Sequence, residues 1–221
     1  LDSNATHSFS ELRIHQGSVE LRRGSIDSPL IRVGDASLEQ SDILVLPSNR
    51  QNPLLGDVRL ELHSSQVRFG YAHTSQGAIL RLGGNTKQRI AELYFRGYGT
   101  IDFVGGEVGR ANMLWIDTLT VAGAGGLFIQ NWYEYEDYLL VKRQGFDPYV
   151  LQLIIFEGYE DYGATVRDYD KDYYQITPFY YVTPFPEPST YGAILGAVGL
   201  GLWGWRQRTR HTPPSPEPGN F

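Results

Sequence analysis

Asp168, Asp170 and Asp172 alternate with Tyr169 and Lys171. Oxygens at i, i+2 and i+4 are how a calcium loop begins. A full loop also needs a glycine soon after and a distant bidentate glutamate, and Tyr173 breaks that pattern. Two more acidic groups, Glu134/Glu136/Asp137 and Glu157/Glu160/Asp161, could in principle supply the paired carboxylates of polysaccharide cleavage. A solvated acidic rim is the simpler account of all three, with a weak calcium staple as the remaining metal option. The five histidines (His7, His15, His63, His73, His211) contain no i, i+2 or i, i+4 pair. Zinc ligation and a serine–histidine triad therefore lack support. The chain has no cysteine and no Gly-x-Ser-x-Gly elbow. Its glycine-rich runs, "GGN" and "GAGG", do not open an apolar helix as a phosphate cradle must. The expectation is a protein without a catalytic site, metal or cofactor.

The elements that would carry these residues are strands. From residue 11 to 132 short apolar–polar alternations recur, among them "VRLELH", "ILRLG", "AELYF" and "LFIQNW", with Gly, Asn, Ser and Pro between them. Period-two alternation is the pattern of half-buried strands, and no 3.6-residue period persists long enough for a helix. A sandwich or barrel would bury such strands, and so would a β-solenoid of stacked coils. Few linkers carry the Asn-Gly or Asp-Gly pairs of tight hairpins, which favours the solenoid. Parallel pairing with the segment roughly 20 to 30 residues on is then expected. Beyond residue 132 tyrosines and carboxylates crowd three further strand candidates, 138–142, 151–156 and 173–176. This block, 133–183, reads as a β cap over the last coil. Sugar rings stack on aromatic faces while carboxylates accept hydroxyl hydrogens, which makes exopolysaccharide a candidate partner. Tyrosine's strand propensity and amphipathic edge are the simpler account of the block.

Charge narrows the partners. Before residue 206 there are 16 basic against 24 acidic side chains. An acidic body disfavours nucleic acid, whose phosphates require a basic footprint. The only methionine is Met113, so the chain is expected to be a processed product or fragment that once had a signal peptide upstream.

Residues 186 to 210 depart from everything before them. Pro186, Glu187, Pro188, Ser189 and Thr190 precede fifteen uncharged residues, Tyr191 to Trp205, and then Arg206, Arg208 and Arg210. At about 1.5 Å per residue the uncharged run makes a short membrane helix. Tyr191 at one end, with Trp203 and Trp205 at the other, suits the two interfaces. The arginines should remain cytoplasmic, which leaves residues 1 to 190 outside.

This order of tripeptide, apolar segment and basic cluster resembles the PEP-CTERM sorting signal. The resemblance implies recognition of Pro186, Glu187 and Pro188, within "PEPST", by exosortase, with Arg206, Arg208 and Arg210 as the stop. It also implies export in an exopolysaccharide-producing, Gram-negative-type bacterium, with anchoring in the membrane before release to the surface or matrix. Residues 79 to 190 are similar to the last coil of autotransporter-associated β-strand repeat proteins bearing such tails. The matching residues are Leu80, Leu82, Gly83, Gly84, Gln88, Leu93, Ile101, Asp102, Phe103, Leu127, Ile129 and Trp132. That family implies a parallel β-solenoid with no catalytic site attached.

The combined expectation is an all-β chain with four parts. Residues 1–132 form a right-handed parallel β-solenoid fragment, and 133–183 a Tyr-rich β cap. Residues 184–210 are the sorting signal with a transmembrane helix at 191–205, and 211–221 a disordered tail. The expected function is that of a non-enzymatic exported surface or matrix protein. The alternatives are a β-helical polysaccharide-degrading enzyme and a carbohydrate-binding β-sandwich carrying the same signal. Convergent carboxylates in a cleft would favour the first, antiparallel pairing throughout the second.

Overall fold

The computed structural model describes residues 1–34, 41–63, 77–104, 111–159 and 163–179, with backbone alone at Ala124. The chain divides into two compact units, Leu1–Tyr180 and Tyr181–Phe221. The second lies outside the described residues, and so do the predicted membrane helix, "PEPST" and the three stop arginines. Among the described residues no helix is long and apolar enough to cross a membrane.

The fold is all-β, with 62% of the described residues in strands and 4% in helix. In chain order the first strands are β1 (Asp2–Ser8), β2 (Leu12–Ile14), β3 (Ser18–Glu20), β4 (Arg23–Asp27) and β5 (Leu30–Val33). Next come β6 (Asp42–Leu46), β7 (Leu54–Leu55), β8 (Arg59–His63), β9 (Ala78–Leu82) and the long strands β10 (Lys87–Phe103) and β11 (Met113–Gln130). Finally there are β12 (Tyr138–Lys142), β13 (Ile154–Phe156), β14 (Ala164–Asp168) and β15 (Tyr173–Pro178).

Pairing among the described strands from β1 to β13 is parallel, with partners 19 to 36 residues apart in sequence. It forms three ladders. The first joins β1, β4 and β7, and the first residues of β10, β11 and β12 pair in the same way. A Gln51–Lys87 bridge and the buried side chain of Gln88 link the two groups. Gln88 accepts from Leu54 N (2.9 Å) and donates to Leu54 O (3.1 Å). The second ladder runs through β2, β5 and β8 to the middle of β10 and β11. The third runs through β3, β6 and β9 to the ends of β10 and β11, then β13. Each long strand thus contributes to all three, with a register shift after Arg96.

In-register stacking turns the sequence alternation into apolar rows. Leu12, Ile31, Leu60, Leu93 and Leu119 stand opposite one another, as do Ile14, Val33, Leu62, Phe95 and Val121. The third ladder aligns Val19, Leu44, Leu80, Ile101, Ile129 and Phe156. Most of these side chains are buried completely, and their removal from water is the main stabilising term. Trp132 packs edge-on between Phe103 and Phe156, with ring centroids 5.4 and 5.2 Å away.

The second ladder's outer face is a grid of alternating charges. Arg32 joins Glu11 and Glu61, at 2.6 Å each, and Arg59 joins Glu61 (2.8 Å) to Glu92 (2.9 Å). Burial pushes the Glu61 carboxyl up, but hydrogen bonds from Arg32 and Arg59 outweigh it and hold the group below its ordinary value. A lowered folded pKa gives stability that is complete above the unfolded value of about 4.5 and is lost as pH falls through the folded one. Glu61→Gln should therefore cost about 1–2 kcal/mol at pH 7. In urea titrations the gap between the two proteins should close toward pH 3.

Parallel pairing does not end at residue 132, where the sequence changes texture, because β12 and β13 both continue it on β11. Among the described strands only β14 and β15 depart from it, pairing antiparallel with each other and, through β15, with β12. Consecutive hairpins, which a sandwich needs, are thus confined to this one place among the described residues. The expected strand at 151–156 is corrected in part, since Pro148–Leu153 is a 3-10 helix and only Ile154–Phe156 is extended. Asp147 caps that helix by accepting from Tyr149 N (2.9 Å), and Pro148 presets its first φ.

The close approach at Gly34 requires glycine. Gly34 has φ +95°, and its N–H donates to Ile14 O (2.9 Å). An added Cβ would collide with the carbonyl oxygen of His63 and lie 2.9 Å from Ala78 Cβ.

Candidate functional site

Three buried polar residues fix where β10, β11 and β12 begin. Thr86, Asn112 and Asp137 each immediately precede one of these strands, and none is measurably exposed. Thr86 N donates to Asn112 Oδ1 (3.0 Å), while Asn112 N and Nδ2 donate to Asp137 Oδ1 (3.2 and 3.1 Å). Tyr133 N donates to Asp137 Oδ2 (2.9 Å). Backbone bonds run alongside, from Met113 N to Thr86 O and from Tyr138 N to Asn112 O. Each strand start is thereby pinned to the next. Burial pushes the Asp137 carboxyl up to about 6, although the N–H donors around it favour the charged form.

The strand starts set in this way line an open groove of about 300 Å³, bounded by Gln51, Asn52, Lys87, Arg89, Trp115 and Tyr173. That is the small end of the range for ligand clefts. Alternation puts Lys87 and Arg89 on one face of β10. In register, Arg89 stands opposite Trp115, and Trp115 opposite Leu140. Gln51 and Asn52 come from the segment stacked before β10. Asn52, at φ +45°, donates its N–H to Lys87 O (2.6 Å), and its Oδ1 accepts from Arg89 N (3.1 Å).

Tyr173 enters from the returning strand β15, where it pairs with Lys142. Its hydroxyl donates to Asp117 Oδ1 (2.8 Å), and Arg89 Nη2 reaches Asp117 Oδ2 (2.7 Å). Burial raises the Asp117 carboxyl, yet the bonds from Arg89 and Tyr173 prevail and keep it below its usual value. Burial and the same carboxylate push the Tyr173 phenol up to about 12, so it stays protonated. The aromatic wall is therefore fixed by a hydrogen-bonded chain. Among the described residues Lys87 has no carboxylate partner. The groove thus joins one uncommitted cation to two aromatic rings and two side-chain amides.

The acidic groups singled out in the sequence do not converge. Asp168 accepts from Arg143 Nη2 (2.6 Å), whereas Asp170 Oδ1 accepts from Asp172 N and Tyr173 N (2.8 Å each) and so shapes the β14–β15 turn. Glu134 meets Arg167 (3.2 Å), Glu157 accepts from Asn131 N (3.2 Å), and Asp137 is committed to the buried stack. Glu160 and Asp161 lie outside the described residues. Among the described residues no group of three or more His, Asp or Glu is placed to hold a metal. His63 sits against Glu61 (3.2 Å) and His7 against Ser3 Oγ (3.0 Å).

Nothing in the sequence marks Gln51, Asn52, Lys87, Arg89 and Trp115 as a site. They come from separate stacked segments, and only the pairing register brings them together. The interleaved tyrosines do point toward Tyr173. No protein-family model, curated protein or solved structure matches this chain.

Proposed function

We propose that this chain is a non-enzymatic, exported surface or matrix protein, built as coils of a parallel β-solenoid and anchored through its C-terminal segment. The observation that carries the reading is the order of the tail. Pro186-Glu187-Pro188-Ser189-Thr190 is followed by an uncharged run to Trp205, then Arg206, Arg208 and Arg210. Two prolines flank Glu187, each with a fixed φ and no N–H to donate, which suits recognition of the tripeptide by exosortase. Arginines resist crossing, at roughly 2.5–3.5 kcal/mol each at a helix centre.

The body is consistent with this. Successive segments pairing in parallel at a separation near one coil length support stacked repeats over a sandwich. The acidic groups that an enzyme would use are engaged in turns and ion pairs, which supports a binding or scaffolding role. The contact it offers is with exopolysaccharide, and no nucleic acid is expected.

In an exosortase-containing host, deletion of residues 191–210 should move the protein from the membrane fraction to the medium almost completely. Glu187→Ala should leave it in the membrane and unprocessed. Immunoblots of the membrane and medium fractions decide the matter. A deleted form that stays with the membrane would overturn the sorting reading.

A further inference from the structure

We propose that the groove between Trp115 and Tyr173 holds one ring at a time of an acidic polysaccharide, with a uronate as the recognised unit. This deepens the exopolysaccharide contact named above and rests on that reading. Trp115 offers the large, rigid face on which the apolar side of a sugar ring stacks. Gln51 and Asn52 at the rim supply amide donors and acceptors for ring hydroxyls. Lys87, without a carboxylate partner among the described residues, faces the same space and meets the sugar carboxylate as a point charge. Arg89 contributes positive potential while bound to Asp117 (2.7 Å). That ion pair and the Tyr173–Asp117 bond (2.8 Å) hold the opposite wall in place before any ligand arrives.

Three features favour a glycan over other anions. The groove is open and its volume, about 300 Å³, is small, which suits one ring of a longer chain. Its lining has one free cation among the described residues, matching one charge per sugar ring, whereas single-stranded nucleic acid requires a basic track along its backbone. The protein as a whole carries a net charge of −6, so long polyanions are repelled except where a local cation and a stacking surface coincide.

The test is calorimetric titration of the purified protein with a uronate hexamer, a neutral glucan hexamer and a single-stranded oligonucleotide, each in low and high salt. The hexauronate should bind and the other two should not. Trp115→Ala should weaken hexauronate binding about tenfold or more. Lys87→Gln, with circular dichroism as the check that the variant is folded, should weaken it about three- to tenfold and flatten its salt dependence. Hexauronate binding that is undetectable, or unchanged in Lys87→Gln, overturns the proposal. Equal binding of the neutral glucan overturns the charge assignment, and oligonucleotide binding abolished by the same variants overturns the glycan assignment. These outcomes leave the sorting reading untouched, because that is decided by fractionation alone.

Discussion

Alanine at position 34 should cost the fold about 4 kcal/mol or more, whereas alanine at position 56 should cost only about 1 kcal/mol. Both glycines have positive φ, +95° and +73°, so both substitutions bear the same left-handed backbone penalty. They differ in surroundings. A Cβ at Gly56 would meet nothing within 4 Å, while one at Gly34 would press on the His63 carbonyl and on Ala78. The obstruction at Gly34 is backbone belonging to the next stacked strand, which cannot rotate away as a side chain can. Relief would mean separating β5 from β8 and loosening the packing of Ile31 and Val33, both fully buried. Urea unfolding of the two variants beside the parent measures the difference directly. Equal losses at the two positions would mean that the backbones do not approach this closely.

Asp137→Ala should destabilise the protein by roughly 3–5 kcal/mol. It strips the acceptor from Asn112 N, Asn112 Nδ2 and Tyr133 N at once. A buried donor left unpaired costs about 1–3 kcal/mol. Asp137→Asn keeps one acceptor oxygen and should cost less. The pH dependence separates the contributions. The folded carboxyl titrates at about 6 against an ordinary 3.8, so between those values the native state binds the proton more tightly than the unfolded chain. Its contribution must then become more favourable as pH falls from 7 toward 4, opposite in sign to that of Glu61. Thermal midpoints of the parent relative to Asp137→Asn should rise on acidification through this window. Superimposable profiles would contradict a buried, protonatable Asp137.

The apolar rows were readable in the sequence because alternation survives intact in segments such as "VRLELH" and "ILRLG". Leu60, Leu62, Leu80 and Leu82 are all buried, as their spacing requires. Strands without that contrast were not readable. β1, "DSNATHS", is polar apart from Ala5 and is held by its pairing with β4, not by a buried face. Glycines at 97, 123, 125 and 126 suggest breaks that would split β10 and β11 into shorter bursts. Both strands in fact continue through that region, with a register shift after Arg96. The residues that suggest the repeat resemblance have plain structural duties. Asp102 is buried and receives bonds from Arg81 and Asn131 (2.7 Å each), and Leu127 and Ile129 are buried in the third ladder. The groove was hidden for a different reason. Trp115 meets Arg89 only because their strands pair 26 residues apart, and composition cannot specify that offset.

Short pairing distances also bear on how the chain acquires its structure. Among the described residues every parallel ladder contact from β1 to β13 joins segments at most 36 residues apart, and none of these ladders waits for the two ends of the body to find each other. Loop-closure entropy is accordingly met in small steps. A nucleus formed anywhere can extend by templating the next turn on an existing edge. A polypeptide threaded through a narrow pore, N-terminus first, could thus order itself progressively on the far side while its remainder is still in transit. The β14–β15 hairpin, laid antiparallel on β12, would be the closing step.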